Sequence, residues 1–231
     1  MKIYPFLAFF FFLGNQLFSQ SQSPCFYIGN ASEYKNMLQS SSNIDLDKTT
    51  AEELSFLAST FQVTPTFYYY DEGQTKNAFN SSKSIAGSQS KFGTIGLGLN
   101  LIREQISLGG SLTTIPIILA HEFAHTVARK YSLSLSDKQN ELFADYLTGV
   151  YLYHRNIKFK STDLNSIFSS FDKMGNNDFN NVANHSSSLN RNKCLKQGYN
   201  DCKNNSKQNA SSTLEEEVAL GVIFIKSQNW D

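Results

Sequence analysis

The chain has 231 residues, 40% of them hydrophobic, enough to bury one sizeable core, and its 20 Lys+Arg against 20 Asp+Glu leave no net charge. That balance lacks the basic stripe a nucleic-acid partner calls for and the acidic tail a cationic partner calls for. The reading is one folded domain, with neither class of partner expected.

The first twenty residues differ from the rest. Lys2 is followed by an apolar run from Tyr4 to Leu13 with five phenylalanines, then by polar Asn15, Gln16, Ser19 and Gln20. A positive start, an apolar stretch too short to span a bilayer as a mature helix and a polar exit read as a secretory signal peptide over 1–20. The expected product is a secreted or periplasmic domain over 21–231, with no stable membrane insertion once the signal is removed; the alternative is a retained N-terminal anchor. Cys25 is not read as lipid-modified, because Gln22 stands where an acylation signal needs an apolar residue. In an exported chain Cys194 and Cys202 could close a local disulfide, and a pairing of Cys25 with either stays open.

In chain order, Glu33 to Gln39 reads as a short helix. Thr49-Thr50-Ala51-Glu52-Glu53 reads as a capping box opening a clearer one, with Leu54, Leu57, Ala58 and Phe61 on one face. Pro65 ends that pattern. Thr66-Phe67-Tyr68-Tyr69-Tyr70 and Thr94-Ile95-Gly96-Leu97-Gly98-Leu99 read as strands, the glycines of the second suiting close approach of an extended substrate.

Thr113-Thr114-Ile115-Pro116 then starts a helix that is apolar nearly all round and closes on Arg129-Lys130. It carries Ala120-His121-Glu122-Phe123-Ala124-His125. Chance yields the H-E-x-x-H pattern in roughly three chains per thousand of this composition, so the motif carries weight. On a helix the two imidazoles stack on one face and can hold one zinc ion, with Glu122 placed to act on a water beside it. Ser136-Asp137 caps a second long helix reaching about Arg155. There Glu141 and Asp145, four apart, sit among core residues rather than on a solvated face. Glu141 is the candidate third ligand. Asp145 is the candidate outer partner, accepting the remaining N–H of a ligand histidine.

The two segments His121-Glu-Phe-Ala-His125 and Glu141-Leu-Phe-Ala-Asp145-Tyr-Leu-Thr-Gly149 resemble the gluzincin class of zinc metallopeptidases. The E-x-x-A-D-x-x-x-G wording is similar to the neutral zinc metallopeptidases and, more distantly, to HtpX-like enzymes. His185-Ser-Ser-Ser-Leu-Asn-Arg191, followed by Gly198-Tyr199 and Cys202, resembles a later segment of the neutral zinc family, with Ser186 where that family has glycine or proline. The likeness covers roughly Phe67 to Cys202. It implies an α+β, zincin-like fold: a small antiparallel or mixed sheet packed on an active-site helix and a second ligand-bearing helix, with a core over about 49–202.

The Asn- and Ser-rich stretches 176–192 and 203–212 read as loops, and N-x-S triplets such as those at Asn80 and Asn204 follow from that composition. Thr213-Leu214-Glu215-Glu216 is a further capping box, opening a terminal helix over about 213–227.

The expected activity is zinc-dependent hydrolysis of peptide bonds in a peptide or protein substrate. His121, His125 and Glu141 hold the metal and leave one position open, Glu122 is the general base, and His185 is a candidate donor to the developing oxyanion, with Arg191 positioning it or anchoring its loop. The rival readings are a non-catalytic module stabilised by zinc and a zinc amidohydrolase acting on a non-peptide amide. His154, at the end of its helix, reads as a surface residue.

Overall fold

The computed structural model describes residues 25–26 (backbone only), 37–71, 77–85, 90–107, 114–155, 186–207 and 212–230. The expected signal peptide, residues 1–20, and His185 lie outside them. Among the described residues no helix is long and apolar enough to cross a membrane.

The fold is α+β. Strands β1 (Cys25–Phe26), β2 (Met37–Leu38), β3 (Thr66–Tyr70), β4 (Ala78–Ser81) and β5 (Thr94–Gly98) form one sheet in the order β1-β4-β5-β3-β2. It is mixed: β5 runs parallel to β3 and antiparallel to β4, and each edge is a two-residue strand. Central β5 is buried along its whole length. A Cβ on Gly96 would stand 2.0 Å from the Phe79 ring, so this glycine makes room for a neighbouring strand's side chain. The expected substrate approach along β5 is therefore corrected: its two edges are already taken by β3 and β4.

Two N-terminal expectations are also corrected. Met37–Leu38 is a strand pairing with Tyr70 and Tyr69, where a helix over 33–39 was expected. Helix α1 (Ile44–Phe61) begins five residues before Thr49, because the Asn43 side chain accepts from the backbone N–H groups of Asp45 and Leu46, and Asp45 and Asp47 favour the helix N-terminus. Thr50 is consequently buried mid-helix. Gln62, at φ 51°, ends α1 in the left-handed region just before Pro65.

After α2 (Leu99–Ser107), helix α3 (Thr114–Lys130) packs with one side toward the sheet and α1 and the other against α4 (Asp137–His154). Every described α3 residue from Thr114 to Ala128 except Ile118 is buried, as its all-round apolar sequence requires. Ser132, at φ 50°, turns the chain after α3, and Ser136 opens α4 with a capping box to Gln139.

The 188–207 segment is helix α5 (Ser188–Lys207), not the loops expected at both its ends. Ser187 caps it by accepting from the Asn190 backbone N–H, and its buried stripe is Asn192, Cys194, Leu195, Gly198 and Cys202. α5 makes the most extensive contact in the molecule, against α4. Two glycines allow that closeness: a Cβ on Gly149 would lie 2.0 Å from the Leu195 carbonyl oxygen, and one on Gly198 would lie 2.0 Å from that of Tyr146. Cys194 and Cys202 are both free and buried, so the local disulfide left open between them does not form. Eight residues of one helix separate their Cα atoms by about 12 Å, twice what a disulfide spans.

Helix α6 (Leu214–Ser227), opened by a Thr213–Glu216 capping box, packs on α4. At the far end of α4, Arg155 forks onto the fully buried Glu53 of α1, Nε to Oε2 at 3.2 Å and Nη2 to Oε1 at 3.0 Å. The Tyr151 hydroxyl donates to the same carboxylate at 2.6 Å, and the guanidinium lies over the Phe56 ring.

Candidate metal centre

α3 and α4 run antiparallel, so His121 meets Asp145 while His125 meets Glu141. His121 Nε2 and His125 Nε2 are 3.2 Å apart, and Glu141 places Oε2 at 3.3 Å from the first and Oε1 at 3.4 Å from the second. Bonds of 2.0–2.1 Å to one tetrahedral ion put its ligand atoms about 3.3 Å apart. The three closest approaches match that length, the two from Glu141 being made by its two different oxygens.

Arg191 donates to both oxygens of Asp145, Nε to Oδ2 at 2.8 Å and Nη2 to Oδ1 at 2.9 Å. Burial works to raise the Asp145 pKa, and the guanidinium outweighs it and holds the carboxyl ionised. Asp145 Oδ1 lies 3.0 Å from His121 Nδ1 and can only accept, which favours a proton on that nitrogen. Burial, with His121 and Arg129 acting in the same sense, pushes the His125 imidazole down to about 4. Burial would raise Glu141, but the imidazoles and Arg191 hold it well below the usual carboxylate range. Two imidazole nitrogens and an ionised carboxylate facing one another are held together by a shared cation, and His/His/carboxylate is a zinc donor set. These residues fit the ion.

A cavity of about 450 Å³ opens beside the triad, with Asn80, Glu122, His125, Arg129 and Glu141 among its lining. Glu122, only 1% exposed overall, lies in that lining next to His125.

Of the residues singled out from the sequence, His121, Glu122, His125, Glu141 and Asp145 come together here, and Arg191 joins them through Asp145. His185 lies outside the described residues. The sequence reading gives no part in the site to two of the other lining residues, Arg129 and Asn80. Arg129 stands four residues after His125, a helical spacing that continues the 121/125 stripe into the cavity; its Nη2 lies 3.3 Å from Thr126 Oγ1 and 3.5 Å from the Ser81 and Phe92 carbonyls. Asn80 of β4 donates Nδ2 to the Glu122 carbonyl at 2.6 Å and to Thr126 Oγ1 at 2.8 Å, fastening the sheet to the motif helix. At 4% exposure the asparagine of this N-x-S triplet is buried, and nothing in a strand's sequence announces that bond. Comparison of the chain with family models, curated proteins and solved structures found no match.

Proposed function

We propose that the chain is an exported zinc-dependent hydrolase of peptide bonds, with a zincin-like arrangement of its sheet and two site helices. The observation that carries this reading is the convergence of His121 Nε2, His125 Nε2 and the Glu141 carboxylate within 3.2–3.4 Å of one another, beside a cavity whose wall includes Glu122. Export is supported by the apolar Tyr4–Leu13 run.

Zinc held by these three residues supplies a polarised carbonyl and a water whose pKa falls toward about 7. The chain's own residues do the rest. Glu122 takes the proton of the attacking water and returns it to the leaving nitrogen. Asp145, backed by Arg191, keeps His121 in the tautomer that presents Nε2. His185 remains the proposed oxyanion donor.

The test is zinc content together with cleavage of an unfolded protein substrate. Wild-type chain binds zinc and cleaves; His121→Ala and His125→Ala lose stoichiometric zinc; Glu122→Gln keeps zinc while kcat falls by about 10²- to 10⁴-fold. Zinc binding with no cleavage, identical in the Gln variant, would replace this reading with that of a zinc-stabilised binding module. Glu122-dependent hydrolysis confined to non-peptide amides would change the substrate class.

A further inference from the structure

A second group of ligand-type side chains gathers where three helices end. His154 is the last residue of α4, Cys202 lies in the second half of α5, and Glu217 is in the first turns of α6. His154 Nε2 stands 2.7 Å from Glu217 Oε1, Cys202 Sγ is 3.5 Å from the same oxygen, and the three ligand atoms all lie within 4.8 Å of one another. Ser212 Oγ also approaches Glu217 Oε1, at 2.9 Å. Cys202 and Glu217 are each 3% exposed, whereas the His154 side chain is 34% exposed. The apolar stripe of a helix does not call for a thiol, an imidazole and a carboxylate at one point.

We propose that His154, Cys202 and Glu217 form a second metal site, a clip for one thiophilic divalent ion of the zinc type. Sulfur, imidazole nitrogen and carboxylate oxygen together select such an ion over magnesium or calcium. With bonds of about 2.3 Å to sulfur and 2.0–2.1 Å to nitrogen and oxygen, the tetrahedral S···O edge is about 3.6 Å and the N···O edge about 3.3 Å. The S···O edge is already at that length. The N···O edge opens by about 0.6 Å, and His154, half out in solvent at a helix end, is the partner free to swing. Coordination forms the metal–sulfur bond as the Cys202 proton passes to solvent, and the ion then takes the place of that proton between thiol and carboxylate. A cavity of about 460 Å³ lined by His154, Ser212 and Glu217 adjoins the group, giving the ion a way in and a fourth position for water. The clip would tie the ends of α4, α5 and α6, at the opposite end of α4 from Glu141.

Cobalt separates this site from the first, which contains no sulfur. The full-length chain titrated with Co²⁺ should bind two equivalents and develop a near-ultraviolet sulfur-to-cobalt charge-transfer band. Cys202→Ala should lose that band and one equivalent, Cys25→Ala and Cys194→Ala should keep both, and His121→Ala should keep the band while losing the other equivalent. If Cys202→Ala fails to fold, His154→Ala, which alters a half-exposed residue, should still drop the binding to one equivalent. A single equivalent in the wild-type chain with no sulfur band, or a band that survives Cys202→Ala, would overturn the second site and leave the hydrolase reading untouched.

Discussion

Two arginine forks grip buried carboxylates on either side of α4, and they do different work. Arg191 on Asp145 and Arg155 on Glu53 both place two guanidinium nitrogens on two carboxylate oxygens, and both carboxylates are 0% exposed. The Asp145 fork passes on to an imidazole, His121 Nδ1 at 3.0 Å. The Glu53 fork ends on a phenol, Tyr151, whose pKa is pushed up by its burial and by the carboxylate it donates to. One fork therefore places its carboxylate against a histidine ring nitrogen, and the other ends on a group that stays protonated at any ordinary pH. The difference teaches that a buried ion pair is read by what it hands its charge to, since neither fork is strong evidence for stability in itself.

Breaking the Glu53 fork should give the largest effect. Arg155→Met leaves a buried carboxylate without its cation and should cost about 3–5 kcal/mol of unfolding free energy, while zinc affinity stays at the wild-type value. Urea unfolding paired with a zinc titration checks both, and a zinc defect here would erase the contrast. Gly198→Ala comes next. Its methyl group meets a backbone carbonyl, so α5 must move off α4, at about 1–3 kcal/mol. Because α5 carries Arg191, this variant should also bind zinc less tightly than wild type; stability loss with unchanged zinc affinity would show that Arg191 reaches Asp145 whatever the helix spacing. The most selective effect on the metal belongs to Asp145→Asn. It should weaken zinc binding by about 10- to 100-fold through the lost support of His121, beyond the stability it loses because Arg191 then faces a neutral amide. Equal losses in Asp145→Asn and Glu141→Ala would place both carboxylates in the same layer around the metal.

How much of this could be read from the chain follows the range of each interaction. Helices α4 and α6 announce their starts through Ser136 and Thr213, because a capping box is complete within four residues. The grouping of His121, His125 and Glu141 is legible for a similar reason: one short turn joins two helices whose spacings place the three on facing sides. The start of α1 was misread because a capping box and an i, i+3 run of Thr and Glu look alike in sequence, and the Asn43 bond decides between them. Helix α5 was hidden by composition, with five asparagines and four lysines in twenty residues; its stability comes from glycine-level contact with α4, which no local pattern carries. Arg191 with Asp145, Arg155 with Glu53 and His154 with Glu217 join residues 46, 102 and 63 positions apart, so each is a product of the fold.

The close seating of α5 also sets a clock. Cys194, 0% exposed and three residues beyond Arg191, has a thiol that burial pushes far up, so the folded chain offers reagents neither access to it nor its thiolate. Alkylation at Cys194 therefore proceeds only in the moments when α5 lifts from α4, and its rate counts those openings. The same opening separates Arg191 from Asp145, so one labelling rate times how often His121 loses its support.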